Sequence, residues 1–250
     1  MDASLIVPNA NLVDAACEQF DRENGVVENA LGDLFALYPA NDNSSHVLLK
    51  VVALNSLYST RILAVLKLAA HICEQGAKLD TALAAGLPEA VDSVACVNIG
   101  GREFTFYSFA TKYCNWHKPD LYPIYDSRVD KYLWFLKRRD VFLSDSFNAH
   151  EDLWSYPTFC KVMTAFRNEF GLGSFTFKQI DKYLWSQGQS IWLAAADGAS
   201  RDEPDEKSET TPVPAAESPK PPERFTDLDD LEILATPGPT REFAPGTGED

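Results

Sequence analysis

Through residue 190 the apolar positions recur every three or four residues more often than every second one, the spacing that gathers them on one face of an α-helix. "NLVDAACEQFDREN" and "VVENALGDLFALYP" read as two helices separated by Gly25. "NDNSSHVLLKVVALNSLYSTRILAVLKLAAHICEQG" predicts a further pair. Asn43, Ser44 or Ser45 caps the first, the polar "NSLYST" forms the turn, and Gly76 ends the second. "TALAAGLPEAVDSVA" gives short helical pieces broken at Gly86-Leu87-Pro88, and "CVNIGGREFTFYSF" is β-prone around Gly100-Gly101, as a small hairpin would be. A short helix carrying Lys112 follows. Pro119 and Pro123 interrupt the chain, and Asp126 opens a helix over "SRVDKYLWFLKRR". The last pair is "YPTFCKVMTAFRNEFG", with Pro157 in its first turn, and "FTFKQIDKYLWSQG". The pattern predicts an all-α domain with one minor β-hairpin and no internal repeat.

Composition changes this picture at the C-terminal end. From Asp197 to Asp250 there are 15 acidic residues against 5 basic ones, 9 of the chain's 15 prolines, and no aromatics besides Phe225 and Phe243. So little apolar surface cannot offset the entropy of ordering the backbone. The expectation is therefore a single globular domain over residues 1–196, containing all five tryptophans, followed by a disordered acidic tail over 197–250. Within the tail, "RFTDLDDLEIL" is either a solvated acidic linker or a short helix that docks a partner protein. The N-terminal residues lack the basic segment and long apolar run of a secretory signal, and no stretch reaches eighteen apolar residues. A cytoplasmic protein with no membrane span is expected. The five cysteines have no CxxC spacing and the four histidines are scattered, so neither a metal site nor a cofactor is expected.

Chemistry narrows to two residues. No phosphate loop of the GxxxxGK type is present, and no Ser-His-Asp arrangement is recognisable. What remains is "YSFATKYCNWHKPDLYPIYDSRVDKYL", with Lys112 and, fourteen positions on, Asp126. A lysine amine attacks a sugar C1′ to form a Schiff base when it is neutral, and burial beside aromatics such as Tyr113 and Trp116 favours the neutral form. A nearby carboxylate takes the amine proton or offsets positive charge developing on the sugar. The opposing reading makes Lys112 a helix-surface lysine and Asp126 an ordinary N-cap.

"FATKYCNW…KPDLYPIYDSRVDKYL" resembles the helix-hairpin-helix DNA glycosylase superfamily, in particular its 8-oxoguanine DNA glycosylase-like branch. The resemblance implies that Lys112 is the Schiff-base nucleophile, Asp126 the catalytic carboxylate and Arg128 a phosphate-contacting cation. It also implies that Trp116 faces the pocket receiving an extruded base and that Trp185 closes that pocket, with Gln187 or Gln189 reading a base edge. "SSHVLLKVVALNSLYSTRILAVLKLAAHICEQG" resembles the family's early helix pair, whose joining turn enters the DNA stack, here through Asn55, Leu57 or Tyr58. DNA is the implied partner. One departure is that Ser108, Phe109 and Ala110 stand where the family places a glycine-rich hairpin.

The whole-chain charge of −15 opposes DNA binding, whereas residues 112–139 hold seven basic residues against three acidic ones. Two functions follow as expectations. One is a glycosylase excising a damaged or modified base. The alternative is a catalytically idle module of the same fold, binding nucleic acid or protein in a bacterial defence system.

Overall fold

The structure, a computed structural model, describes residues 7–142, 145 and 147–199, the side chains of 192–199 excepted. Its first helix, α1 (Ala10–Leu37), is capped by Asn9, whose side chain accepts from the Leu12 N–H. The expected break at Gly25 is absent and α1 runs straight through it. A glycine inside a helix costs only about 1 kcal/mol relative to alanine, less than the burial of Val13, Leu31 and Phe35 on the same helix returns.

Asn43 caps α2 (Ser44–Leu57), its Oδ1 accepting from the Ser45 and His46 N–H groups. Helix α3 (Val65–Ala85) packs against α2. Gly76 does not end α3 as expected. It kinks the helix at φ 40°, ψ −123°, a backbone that side chains rarely adopt, and the helix then resumes as far as Gly86. α4 (Glu89–Ala95) leads into the antiparallel hairpin of β1 (Cys96–Ile99) and β2 (Arg102–Thr105), with Val97 opposite Phe104. The turn Gly100-Gly101 has positive φ at both residues, 60° and 81°, which suits the right-handed twist of a two-residue hairpin loop.

α5 (Tyr107–His117), α6 (Ser127–Lys137), a 3₁₀ turn (His150–Trp154), α7 (Tyr156–Glu169) and α8 (Phe177–Ala199) complete the domain. Pro157 sits in the first turn of α7. The fold is all-α with one small hairpin. α8 packs against both α1 and α6, and α4 against α5. A core of fully buried Phe109, Tyr113, Phe142, Phe159 and Phe166 lies between the helices. α8 continues to Ala199, past the expected boundary at residue 196, and residues 200–250, the rest of the acidic tail, lie outside the described residues.

A second buried cluster holds the segment between α1 and α2. The fully buried Lys50 donates to the carbonyls of Tyr38 (3.2 Å) and Ala40 (3.0 Å) and to Asn41 Oδ1 (2.7 Å). Burial pulls its pKa down to about 8, against the pull of Asp80 and Asp42. Three oxygen acceptors match the three N–H donors of an ammonium, so the geometry is that of the charged form.

Candidate functional site

Thr111 brings the two candidate residues together. Its buried hydroxyl accepts from the Tyr125 N–H (3.1 Å), tying the "PIY" segment to α5, and its proton lies between the Ser108 (3.0 Å) and Tyr125 (3.3 Å) carbonyls. Asn115 donates to the Tyr122 carbonyl (2.7 Å), and Tyr156 to that of Pro123 (3.0 Å). The segment so fixed delivers Asp126 beside the Lys112 side chain. Nζ of Lys112 lies 3.9 Å from Asp126 Oδ2 and donates to Ser108 Oγ at 2.8 Å.

Asp126 does two jobs with its two oxygens. Oδ1 caps α6, accepting from the Arg128 and Val129 N–H groups at 2.9 Å each, while Oδ2 faces Lys112. The cap reading and the partner reading thus coexist on this residue. For Lys112 the surface reading does not hold, because only 6% of its side chain is exposed. Burial lowers its pKa and Arg128 adds to the lowering, opposed by Asp126 and Asp181.

The pair opens into a cleft of about 800 Å³ lined by Tyr58, Arg61, Tyr107, Ser108, Tyr125, Arg128, Trp154 and Trp185 among others. Arg128 places its guanidinium 4.2 Å from the centre of the Trp185 ring. Trp154, 59% exposed, donates through Nε1 to the Tyr125 hydroxyl (3.1 Å). Lys112, Asp126, Arg128 and Trp185, chosen on sequence for one site, therefore meet in one cleft, and Tyr58, expected to enter a DNA stack, lines it as well. Gln187 and Gln189 are not among its lining residues.

Two sequence expectations are corrected. Trp116 does not face the Lys112 cleft. It lines a neighbouring cleft of about 600 Å³ with Glu28, Asn115, Lys178 and Lys182, stacked on Phe35 and with Lys178 Nζ 3.9 Å from its ring centre. On an eleven-residue helix it lies four positions after Lys112 but is rotated toward α1. Asn55, expected among the residues that enter a DNA stack, is engaged within the turn instead. Its amide shapes the turn between α2 and α3, donating to the Ile62 carbonyl (2.9 Å) and accepting from Thr60 (2.7 Å) and the Ile62 N–H (2.9 Å). That turn instead offers Arg61 at φ 59° to the cleft, with Leu57 and Leu63 exposed beside it.

Tyr58 joins the two clefts. Its ring lies 5.7 Å from Lys112 Nζ, and its hydroxyl accepts from Trp116 Nε1 (3.2 Å) and Lys178 Nζ (3.1 Å) and donates to Glu28 (3.5 Å). Lys178 also pairs with Glu28 at 3.3 Å, and burial lowers its pKa. Asp181, one turn on, has an Oδ1 closed to solvent with no hydrogen-bond partner. Burial, then the Asp126 charge, raises its pKa to about 7. Nothing in "FKQIDKYLW" distinguishes this acid from a solvent-facing one, since its burial comes from α1 and α6 packing on α8.

The family model HI_0787_N, an N-terminal domain, matches residues 12–121. An uncharacterized protein of Haemophilus influenzae is 37% identical over 186 residues, covering 73% of this chain and 86% of the relative. The chain belongs to this family. Within it, Lys112 falls inside the matched N-terminal domain, whereas Asp126 and Asp181 lie beyond its end, so the site draws on both parts of the chain. No solved structure matches. No helix among the described residues is long and apolar enough to cross a membrane.

Proposed function

We infer that this protein is a DNA glycosylase-like enzyme that removes a damaged or modified base through a Schiff base on Lys112. The observation that carries the reading is the convergence of a buried lysine amine and a helix-capping carboxylate, 3.9 Å apart, on an open cleft. Desolvation favours the neutral amine that attack requires. Nζ then bonds to C1′ as the C1′–base bond breaks, and the Asp126 charge offsets the positive charge developing on the sugar. A nucleotide extruded from the duplex would meet Tyr125, Trp154 and Trp185, aromatic surfaces of the kind that hold flipped bases. Arg128 and Arg61 supply cations for the flanking phosphates, and Leu57 and Leu63 are exposed on the turn that borders the cleft.

The test is strand scission and base release on duplex oligonucleotides carrying single oxidised, alkylated or deaminated bases. Release of one such base, absent with Lys112→Gln, supports the reading. If no base is released from any substrate while the protein still binds the duplexes, the idle-module alternative takes its place.

A further inference from the structure

Among the described residues the shortest polar contact of the Lys112 amine is with Ser108, not with Asp126. Nζ donates to Ser108 Oγ at 2.8 Å and, more weakly, to the Ser108 carbonyl at 3.4 Å. Asp126 Oδ2 stands at 3.9 Å, beyond hydrogen-bond reach. The arrangement is local in origin. Residues four apart share one face of α5, and a helical side chain leans toward the N-terminus, so Lys112 reaches back over the turn that carries Ser108. Ser108 is half-buried and lines the Lys112 cleft, so hydroxyl and amine belong to one wall.

A lysine nitrogen has three positions beyond its Cε bond. Ser108 takes two of them with its acceptors, and Asp126 lies off the third. In the ammonium that third position holds a proton; in the neutral amine the two N–H groups stay on Ser108 and the third position holds the lone pair. We propose that Ser108 aims the Lys112 lone pair into the cleft, resting on the reading of Lys112 as the nucleophile. One proton leaves the ammonium for water in the cleft, and the freed electron pair bonds to C1′. The base leaves with the electrons of the bond that breaks, giving a positively charged nitrogen and a base anion. Ser108 touches the reacting nitrogen and keeps its own proton throughout. Asp126 and Arg128 from the start of α6 and Asp181 from α8 act on this amine through their charges, and the Tyr58 ring lies 5.7 Å from it. A charge at such range sets how readily the proton leaves, whereas two hydrogen bonds to one residue set the direction of the lone pair.

The test separates the basicity of Lys112 from its direction, using the full chain as wild type, Ser108→Ala and Ser108→Thr. Alanine suits a helix and keeps the residue 108 carbonyl, so Ser108→Ala should fold and melt like wild type. Methylation of Lys112 by formaldehyde and cyanoborohydride, followed from pH 5 to 10 by peptide mass spectrometry, reads basicity, because a small aldehyde needs no set approach. Borohydride trapping on an abasic-site oligonucleotide reads direction. In Ser108→Ala the methylation midpoint should fall by about 0.5–1 pH unit, since the ammonium loses a stronger bond than the neutral amine does. Trapping at its high-pH plateau should slow about 10–100-fold. A purely structural role would slow trapping without moving the midpoint. Ser108→Thr, which keeps the hydroxyl, should return both toward wild type. An unmoved midpoint in Ser108→Ala, or trapping at the wild-type rate, would overturn the proposal. Absence of any wild-type adduct would refute the glycosylase reading, while the methylation midpoints would still decide the Ser108 contact.

Discussion

Replacing Gly188 by alanine sets helix propensity and tertiary packing in direct opposition. Gly188 lies inside α8, where alanine is favoured over glycine by about 1 kcal/mol, so propensity alone predicts stabilisation. The structure predicts the reverse. A Cβ at this position would stand 2.4 Å from the Arg128 carbonyl oxygen and 2.8 Å from its carbonyl carbon, where ordinary contact begins at 3.4 Å. The obstacle is backbone in the first turn of α6, so no rotamer change relieves it, and α8 must retreat from α6 by about 1 Å. Overpacking of this kind costs about 1–3 kcal/mol, and the rigid neighbour puts this case at the upper end, for a net loss of about 2 kcal/mol after the propensity gain. In a domain of this size that lowers the melting temperature by roughly 4–8 °C. Thermal melts checked by urea denaturation measure it. A melting temperature equal to or above that of wild type would refute the close α6–α8 packing on which the cleft wall of Arg128 and Trp185 depends.

Asp181 makes stability depend on pH with a definite sign. Its folded-state pKa, about 7, lies above that of an unfolded aspartate, so its contribution is fully present below about pH 4 and is lost as pH rises to about 7. Asp181→Asn should therefore match wild type at pH 4 and exceed it by a few kcal/mol at pH 8 in urea titrations; an equal difference at both pH values would contradict this. Lys50→Met leaves the Tyr38 and Ala40 carbonyls without their buried donor, at about 1–3 kcal/mol each, so equilibrium unfolding should show a loss of about 3 kcal/mol or more. A loss below about 1 kcal/mol would mean that these carbonyls find other partners. Deleting residues 200–250 removes most of the chain's acidic surplus, and under the DNA-binding reading affinity for duplex at low salt should rise; unchanged affinity would show that the tail does not compete with phosphate.

The features legible in the sequence are those decided within a few residues. Asn43 and Asp126 cap helices because a short side chain reaches the next two or three N–H groups, whatever the rest of the molecule does. Pro157 at a helix start and the Gly100-Gly101 turn are local in the same sense. Sequence and structure part where tertiary packing outweighs local preference. Gly25 stays helical because burial of Val13, Leu31 and Phe35 on either side of it anchors α1, and Gly76 kinks a helix that resumes beyond it. In the site, Lys112 and Asp126 stood out because their residue types carry chemistry. Trp116 faces the neighbouring cleft because the rotation of α5 is set by its packing on α1. Asp181 carries no such signal, since its surroundings are supplied by α1, α5 and the start of α6.

Under the proposed function the Lys112 amine is the nucleophile and Asp126 the charge that serves it. Borohydride trapping on duplexes carrying abasic or modified sites tests this most directly, with the attachment point mapped by peptide mass spectrometry. Wild type should form a covalent adduct on Lys112 and Lys112→Gln none, since a helix accepts glutamine about as well as lysine. With Asp126→Asn the adduct should fall by orders of magnitude while the cap survives, melting changes little and duplex affinity is kept. An adduct mapped to another residue, or wild-type trapping by both variants, would contradict it.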